Sequence, residues 1–146
     1  MNGKLVKKRI SAGFVIFFGE PEQREFLVIK HKEGHWAFPK GHSKKYESHL
    51  ETALRELKEE TGIINPVLLS DKVLLEESYF IEKYNVNKTV HYFIGKTDSK
   101  VVNIDKKEII DYKWCYTEDA LNKITYRQTK KLLIKANKLI DEKKST

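Results

Sequence analysis

The hydrophobic positions in the first third of the chain predict two strands followed by a loop. Residues 12–18 (AGFVIFF) and 25–30 (EFLVIK) are short runs rich in Phe, Val and Ile, and the segment GEPEQR separates them. A Gly- and Pro-containing connection between such runs is typical of a β-hairpin. Residues 31–46 follow no regular hydrophobic period. We expect an ordered loop there.

A helical period begins after this loop. From Glu47 to Thr61 the apolar positions follow i, i+3, i+4 and i+7 spacing, which predicts an amphipathic helix over 47–61. Gly62 follows as the expected C-cap, because glycine adopts a left-handed backbone conformation without steric cost. The apolar stripe consists of Leu50, Ala53, Leu54 and Leu57.

The rest of the chain predicts further strands and two helices. Residues 84–88 (YNVNK) are expected to form a turn, and Thr117 is expected to cap a short helix, TEDAL. A mixed β-sheet with helices packed on it, of the α+β class, accounts for this order. The expected strands are 63–69, 73–81, 89–96 and 112–116; the expected helices are 117–121 and 126–140, followed by a frayed tail over 141–146.

Length and composition favour one domain spanning 1–146. The chain has 146 residues, 40% apolar and 34% charged, so it can bury a core and differs from a disordered chain. Its one cysteine, Cys115, excludes a disulfide framework and fits a cytoplasmic location. No apolar run approaches the roughly 18 residues of a membrane helix, so we expect no membrane partner.

The net charge favours anionic partners. At +7 the chain would attract phosphorylated metabolites, nucleotides or nucleic acid. A Lys-rich solvated surface without any such partner is an equally good explanation of the charge alone. Sequence gives no indication of the oligomeric state.

The predicted helix carries a group of carboxylates. Glu56, Glu59 and Glu60 stand at i, i+3 and i+4, so their side chains converge on one side of the apolar stripe. Taken alone, ELKEE is most often a solvated acidic face. The surrounding residues change this interpretation, because residues 41–63 follow the pattern G-x5-E-x7-REL-x-EE-x-GI.

This pattern resembles the Nudix box at every specified position. The resemblance implies a Nudix fold, an α/β/α sandwich with a mixed β-sheet, and hydrolysis of a nucleoside diphosphate linked to another group. It implies a Mg²⁺ cofactor, with Mn²⁺ as an alternative, because hard cations prefer oxygen ligands and keep phosphates in their shell. A bound cation would polarise a phosphoryl oxygen and activate water.

The resemblance also assigns roles to individual residues. Glu56, Glu59 and Glu60 would supply metal ligands and a base, in an order that the sequence leaves open. The carbonyl of Lys40 would be a further ligand, since Gly41 lets the loop backbone approach closely. Arg55 would hold a box glutamate by a salt bridge. Glu47 would add either a metal contact or a structural one.

The loop before the box narrows the substrate. His35 and Trp36, followed by PKGH (39–42), resemble the W-x-x-P-K-G-H loop of asymmetric diadenosine tetraphosphate hydrolases. Lys40 would then bind a phosphate, and His35 and His42 would donate hydrogen bonds to phosphate oxygens. The alternative is that Trp36 belongs to the core and that His42 is merely exposed.

Residues beyond the box extend this resemblance. Lys88, in KTVHYFIG, would reach the polyphosphate chain, and Glu108, in EIIDYKW, would be an extra carboxylate serving as metal ligand or base. Tyr126, in TYRQTKKLL, would stack on an adenine. Tyr79 is a candidate for the second ring of this aromatic clamp, and Tyr84 and Tyr92 are further candidates.

The loop departs from the family pattern PKGH-x-E-x-G-E at two positions. Lys44 replaces the acid and Tyr46 replaces the glycine. Tyr46 removes a residue that tolerates positive φ, which puts the loop shape and the substrate in question.

The leading hypothesis is a Mg²⁺-dependent dinucleoside polyphosphate hydrolase that cleaves diadenosine tetraphosphate to ATP and AMP. The runner-up is removal of pyrophosphate from triphosphorylated RNA 5′ ends, for which the basic charge would help. A diphosphoinositol polyphosphate is a weaker third substrate. The non-enzymatic alternative is a nucleotide-binding Nudix module, whose sign would be the loss of box carboxylates.

Overall fold

The computed structural model describes residues 5–144, and its elements follow the predicted order with different bounds. Short 3-10 turns at Pro21–Gln23 and Glu82–Tyr84 connect strands. The strands are β1 (Lys7–Phe18), β2 (Glu25–His31), β3 (Trp36–Ala37), β4 (Lys40–His42), β5 (Val67–Leu68), β6 (Leu75–Ile81), β7 (Val86–Lys96) and β8 (Ile109–Tyr116); the helices are α1 (His49–Thr61), α2 (Thr117–Lys123) and α3 (Arg127–Lys144).

Pairing partners explain why several strands differ from their predicted lengths. β1 starts at Lys7 and β7 at Val86 because the two strands pair in parallel from Lys7–Val86 to Phe17–Lys96. Their polar first residues are part of the ladder although they carry no hydrophobic pattern. The expected loop over 31–46 contains β3 and β4, which pair with β2 and β1.

Other boundaries were wrong for local reasons. The expected strand over 63–69 is reduced to β5, because Asn65 has φ 50° and Pro66 follows it. Thr117 is the first residue of α2 and forms no side-chain cap; the N-cap is Tyr116. The expected frayed tail is wrong for 141–144, which continue α3, and 145–146 lie outside the described residues.

The sheet is mixed and β1 lies at its centre. β1 runs parallel to β7 and antiparallel to β2 and β4. β2 also pairs antiparallel with β8, and β7 pairs antiparallel with β6 and β5. The predicted hairpin between β1 and β2 is present, with Phe17 opposite Phe26.

Alternate residues of β1 face two separate cores, which makes the molecule a three-layer α/β/α sandwich. Phe14 and Ile16 pack with Ala53 and Leu57 of α1. Val15 and Phe17 pack in the other core, which contains Leu133 and the rest of the apolar side of α3. The period of two along the strand therefore places α1 on one face and α2 with α3 on the other. None of the described helices is long and apolar enough to span a membrane.

The ends of α1 are fixed by their own sequence. Glu47 precedes the helix, because Ser48 is the N-cap and forms a capping box with Glu51. Gly62 ends it with φ 76°, as predicted, and its N–H donates to the carbonyl of Lys58. Both ends fix the rotation of the helix and hence the direction of its carboxylates.

Candidate active site

Arg55 lies at the centre of a hydrogen-bond network that joins α1 to the preceding loop. Its Nε donates to Glu47 Oε2 at 2.6 Å and its Nη2 to Glu47 Oε1 at 2.9 Å, a bidentate pair. Nη1 donates to Glu56 Oε1 at 2.8 Å and to Glu59 Oε2 at 3.3 Å. Nη2 also donates to the carbonyl of His42 at 2.9 Å, so one guanidinium positions three box carboxylates and the loop backbone.

Glu47 forms the loop side of this network. Its Oε1 accepts from the backbone N–H of Lys44 at 2.8 Å and from Thr52 Oγ1 at 2.9 Å. The hydrogen bonds from Arg55, followed by that from the Lys44 N–H, lower the pKa of Glu47 to about 2. With all of these bonds directed within the protein, Glu47 has a structural place in the described network.

Gly41 explains the close approach of the loop to the helix. A Cβ at this position would overlap the carboxyl group of Glu56. Gly41 belongs to β4, opposite Ala12 of β1, so the sheet presses this backbone against α1. Any side chain here would displace Glu56 or the loop.

Two of the box carboxylates are held in a low-dielectric setting. Glu60 is 5% exposed, and its Oε1 accepts from the backbone N–H of Lys40 at 2.9 Å. Burial, followed by the charge of Glu56, raises the pKa of Glu60 to about 8. Burial also raises the pKa of Glu56, against the opposing effect of Arg55. Perturbation of this kind in a cleft is typical of functional carboxylates and of cation sites.

An open cavity of about 360 Å³ collects most of the predicted site residues. Its carboxylates come from three segments of the chain, and its cations come from β4 and β7. Of the predicted residues, those that line it are Lys40, His42, Glu56, Glu59, Glu60, Lys88 and Glu108. The remaining predicted residues, His35, Tyr79, Tyr126 and Arg55, lie around it.

The cations of the cavity repel one another. Burial, followed by the ammonium of Lys40, lowers the pKa of Lys88 to about 8. Burial, followed by the charges of Lys88 and Lys40, also lowers the pKa of His42. His42 Nδ1 lies 3.3 Å from Ser11 Oγ. Across residues 5–143, neither Lys40 nor Lys88 has a carboxylate at ion-pair distance. Such a group of cations suits a bound polyanion.

The aromatic end of the site lies beside this cavity. The ring of His35 stacks on that of His31 at 4.7 Å, and Tyr126 follows at 5.4 Å from His35. Tyr126 is 48% exposed and can accept a stacking partner. Tyr79 is opposite Lys88 in the β6–β7 pair, and burial, followed by Glu77 and Tyr126, raises its pKa to about 12.

Two other candidate tyrosines have different surroundings. Tyr92 is fully buried in the core next to Phe38, so it cannot stack on a base. Tyr84 is 62% exposed and is the last residue of the 3-10 turn that follows β6. Trp36 is partly buried against the core and has the ammonium of Lys123 at 4.2 Å from its ring centroid.

Tyr46 has the positive φ that its side chain was expected to disfavour. It adopts φ 76°, the left-handed conformation that favours glycine, with a side chain that is 91% exposed. The bond from Glu47 N–H to the Lys44 carbonyl at 3.0 Å closes the turn around it. This substitution therefore keeps a positive φ at position 46, at the cost of local backbone strain.

Several cavity residues were not identified from the sequence. His31, Glu33 and Asp105 also line it. His31 Nε2 donates to the Phe38 carbonyl at 3.1 Å, and burial, followed by the charge of Lys40, lowers its pKa to about 3. A histidine at the end of a strand gives no pattern by itself. Asp105 reaches the cavity because its N–H bonds to the Glu60 carbonyl, a contact between distant segments.

The donor set suits a hard divalent cation. In the described part of the chain, no group of three or more His, Cys, Asp or Glu side chains is arranged to hold a metal ion by itself. Mg²⁺ needs no such shell, because one or two carboxylates with waters and substrate phosphates usually hold it. Gly41 keeps the backbone of the loop against Glu56, as a carbonyl ligand from Lys40 requires.

Comparisons with known proteins agree with this geometry. The chain is 32% identical over 127 residues to the asymmetrical bis(5′-nucleosyl)-tetraphosphatase of Caenorhabditis elegans, covering 86% of this chain and 91% of that protein. The mouse protein of the same name is 34% identical over 112 residues, covering 75% of this chain and 76% of that protein. A crystal structure of a C. elegans Ap4A hydrolase binary complex matches with TM-score 0.80 at 29% identity, covering 92% of this chain and 98% of that chain.

The NUDIX domain profile matches residues 7–136. This range contains every carboxylate and cation that lines the cavity. With this match, the similar sequences and the shared fold, the chain belongs to the Nudix family and is a Nudix hydrolase.

Proposed function

We propose that this hydrolase cleaves diadenosine tetraphosphate asymmetrically, to ATP and AMP, with Mg²⁺ as cofactor and Mn²⁺ as a substitute. The observation that carries the proposal is the arrangement of the site: an aromatic end lies beside the cavity, and the cavity itself is lined by a group of cations and a group of carboxylates. A dinucleoside polyphosphate presents a base, a phosphate chain and a scissile phosphorus in that order. The names of the relatives support the same substrate.

Each end of the substrate has matching residues. The adenine would stack on Tyr126, with Tyr79 and His35 at its edges, because these rings lie together beside the cavity. Lys40, Lys88 and His42 would bind the phosphates, since they converge without a carboxylate of their own. Lys88 gains most from this, because an anion would offset its repulsion by Lys40.

The carboxylates would bind the cation, and one of them would accept the proton of the attacking water. Nudix hydrolases generally use divalent cations, and a cation at this face would neutralise phosphate charge and activate water. Glu56 and Glu59 are oriented for it by Arg55, and Glu60 fixes the Lys40 backbone. Glu108 lines the cavity and would accept the proton of the attacking water. The water oxygen bonds to phosphorus, and the bridging P–O bond breaks with its electrons going to the leaving phosphate.

Turnover with matched substrates tests the proposal. Diadenosine tetraphosphate and triphosphorylated RNA are incubated at equal concentration with Mg²⁺, and the products are separated by chromatography. We expect ATP and AMP from the dinucleotide and little release from RNA. Release of pyrophosphate from RNA alone would contradict the proposal and indicate transcript processing instead. A non-catalytic module would leave both substrates intact, although every box carboxylate is present.

Two further parts of the proposal concern the whole chain. We propose that residues 1–146 act as one domain, since both cores pack on a single sheet. A cytoplasmic location agrees with Cys115, which is a buried free thiol. Fractionation of cells that produce the chain would check the location.

A further inference from the structure

A second groove opens beside Lys88, towards the start of β7. It has a volume of about 380 Å³ and shares His42 and Lys88 with the cavity. We call it the distal groove and define it by Lys7, Arg9, Ile81, Tyr84 and Val86. Of these residues, only Tyr84 has been considered so far, as a candidate for the aromatic clamp.

Strand register places the distal groove next to the phosphate-binding cations. Arg9 is opposite Lys88 in the parallel β1–β7 pair, and Lys7 is opposite Val86. Ile81 is also opposite Val86, across the β6–β7 pair. Alternate residues of a strand share a face. Lys7, Arg9, Val86 and Lys88 therefore lie on the face that carries Tyr79.

The backbone around the distal groove is held in place. The N–H of Lys7 donates to the Asn85 carbonyl at 3.1 Å, and Asn85 Nδ2 donates to the Leu5 carbonyl at 3.2 Å. Asn85 adopts φ 53°, which reverses the chain immediately after Tyr84. The start of β1 and the turn that carries Tyr84 are thus tied together, and the groove is preformed.

The chemistry of the distal groove matches a nucleoside with adjacent phosphates. Lys7 and Arg9 have no carboxylate at ion-pair distance among the residues that the structure describes. Tyr84 is 62% exposed, and the ammonium of Lys83 lies 5.4 Å from its ring centroid. Ile81 and Val86 supply an apolar floor. An aromatic ring, an apolar floor and two cations recognise a base attached to a polyanion.

We propose that the distal groove binds the second nucleoside of a dinucleoside polyphosphate, with Tyr84 against its base and Arg9 and Lys7 on the phosphates beyond Lys88. This inference rests on the proposed function and adds the reason for a preference for a dinucleotide. Tyr126 and Tyr84 then hold opposite ends of one substrate, and Lys88 lies between them.

Substitution at the distal groove tests the inference. The variants are Tyr84→Ala and Arg9→Met, and Lys8→Met is the matched control because Lys8 lies on the opposite face of β1, opposite Asn87. The substrates are diadenosine tetraphosphate and adenosine tetraphosphate, which lacks the second nucleoside. Binding of a non-hydrolysable dinucleoside tetraphosphate by calorimetry accompanies the kinetics, and circular dichroism confirms folding.

We expect Tyr84→Ala to raise KM for the dinucleotide about tenfold, with kcat and the KM for adenosine tetraphosphate unchanged. Arg9→Met weakens binding of the dinucleotide more than that of adenosine tetraphosphate, and Lys8→Met changes neither. Wild-type protein that cleaves no dinucleotide would overturn the proposed function itself. Wild-type cleavage with unchanged KM in both groove variants would overturn this inference alone. A loss confined to triphosphorylated RNA would also overturn it, in favour of a transcript.

Discussion

Arg55 and Lys88 are cations of the same site with opposite surroundings. The guanidinium of Arg55 donates to Glu47, Glu56, Glu59 and the His42 carbonyl. Its pKa is raised by the bond with Glu47 first and then by that with Glu56. The pKa of Lys88 falls to about 8, through burial first and then through the charge of the Lys40 ammonium. One cation is satisfied within the protein and the other is not.

This difference distinguishes a cation that fixes the geometry of the site from one that is available to bind an anion. A charge that the protein itself pairs fixes the positions of its partners, as Arg55 does for the glutamates of α1. A buried charge without a partner is a cost to the fold, and such perturbed groups cluster at functional sites. Substitutions around Arg55 should therefore act on kcat, and substitutions around Lys88 should act on the binding of anions.

The largest expected effect comes from the glutamates. Glu59→Gln keeps the shape of the side chain and removes its charge, so we expect kcat with diadenosine tetraphosphate to fall by about 10³-fold. The folded structure should persist, because Glu59 has a half-exposed side chain. Glu142→Gln, at an exposed position of α3, is the control for the same chemical change. A kcat within tenfold of the wild type would contradict the role of Glu59.

Arg55→Lys removes hydrogen bonds of the Arg55 guanidinium while keeping the positive charge. A single ammonium cannot bond Glu47, Glu56 and the His42 carbonyl together, because it lacks the planar fork of arginine. We expect kcat to fall by about 10–100-fold and the concentration of Mg²⁺ needed for half-maximal rate to rise. Arg127→Lys, exposed at the start of α3, should change neither quantity. An unchanged Mg²⁺ requirement would mean that Arg55 does not orient the cation ligands.

The distance in sequence between partners decided which parts of this site were predictable. Glu56, Glu59 and Glu60 share one helix, so their spacing alone indicates convergence. Lys88, in β7, and Glu108, in the turn before β8, were placed through resemblance to a family, since they come close to the glutamates of α1 only in the fold.

Arg9 and Lys7 could not be found in this way. Their position depends on the parallel register between β1 and β7, and the first residues of β1 carry no hydrophobic alternation. The same pairing lengthened both strands beyond their predicted bounds. Long-range pairing thus accounts both for the wrong bounds of β1 and β7 and for the unrecognised groove.

The cation side of the comparison also predicts a pH effect on stability. His31 is held neutral, with a pKa of about 3 against 6.5 in the unfolded chain, by burial and then by Lys40. Between these values the unfolded chain binds more protons. The contribution of neutral His31 to the free energy of unfolding is therefore complete above pH 6.5 and is lost as the pH falls toward 3.

His31→Gln should remove this dependence. We expect the free energy of unfolding of the wild type to fall by about 1.4 kcal/mol more per pH unit than that of the variant below pH 6. Urea unfolding at pH 5, 6 and 7 measures the difference. Parallel curves for the two proteins would show that His31 is protonated in the folded state.

The smallest expected effect concerns the loop between β4, which carries Lys40, and α1, which carries Arg55. Tyr46 adopts φ 76°, a conformation in which its Cβ causes strain that glycine would not have. Its side chain is 91% exposed. Tyr46→Gly should raise the free energy of unfolding by about 1 kcal/mol, because it removes the left-handed strain. Tyr46→Ala keeps the Cβ and is the matched control, expected within about 0.5 kcal/mol of the wild type.

Thermal and urea unfolding compare the three proteins, and kcat is measured beside them. Equal stabilisation by Ala and Gly would mean that the loss of the ring, rather than the relief of φ, is responsible. An unchanged kcat in Tyr46→Gly would show that the bonds of Glu47 to Lys44 and Arg55 fix the loop whatever residue stands at 46. The hydrogen bonds of Arg55 and Glu47 would then fix the shape of the loop, and with it the position of Lys40 next to Lys88.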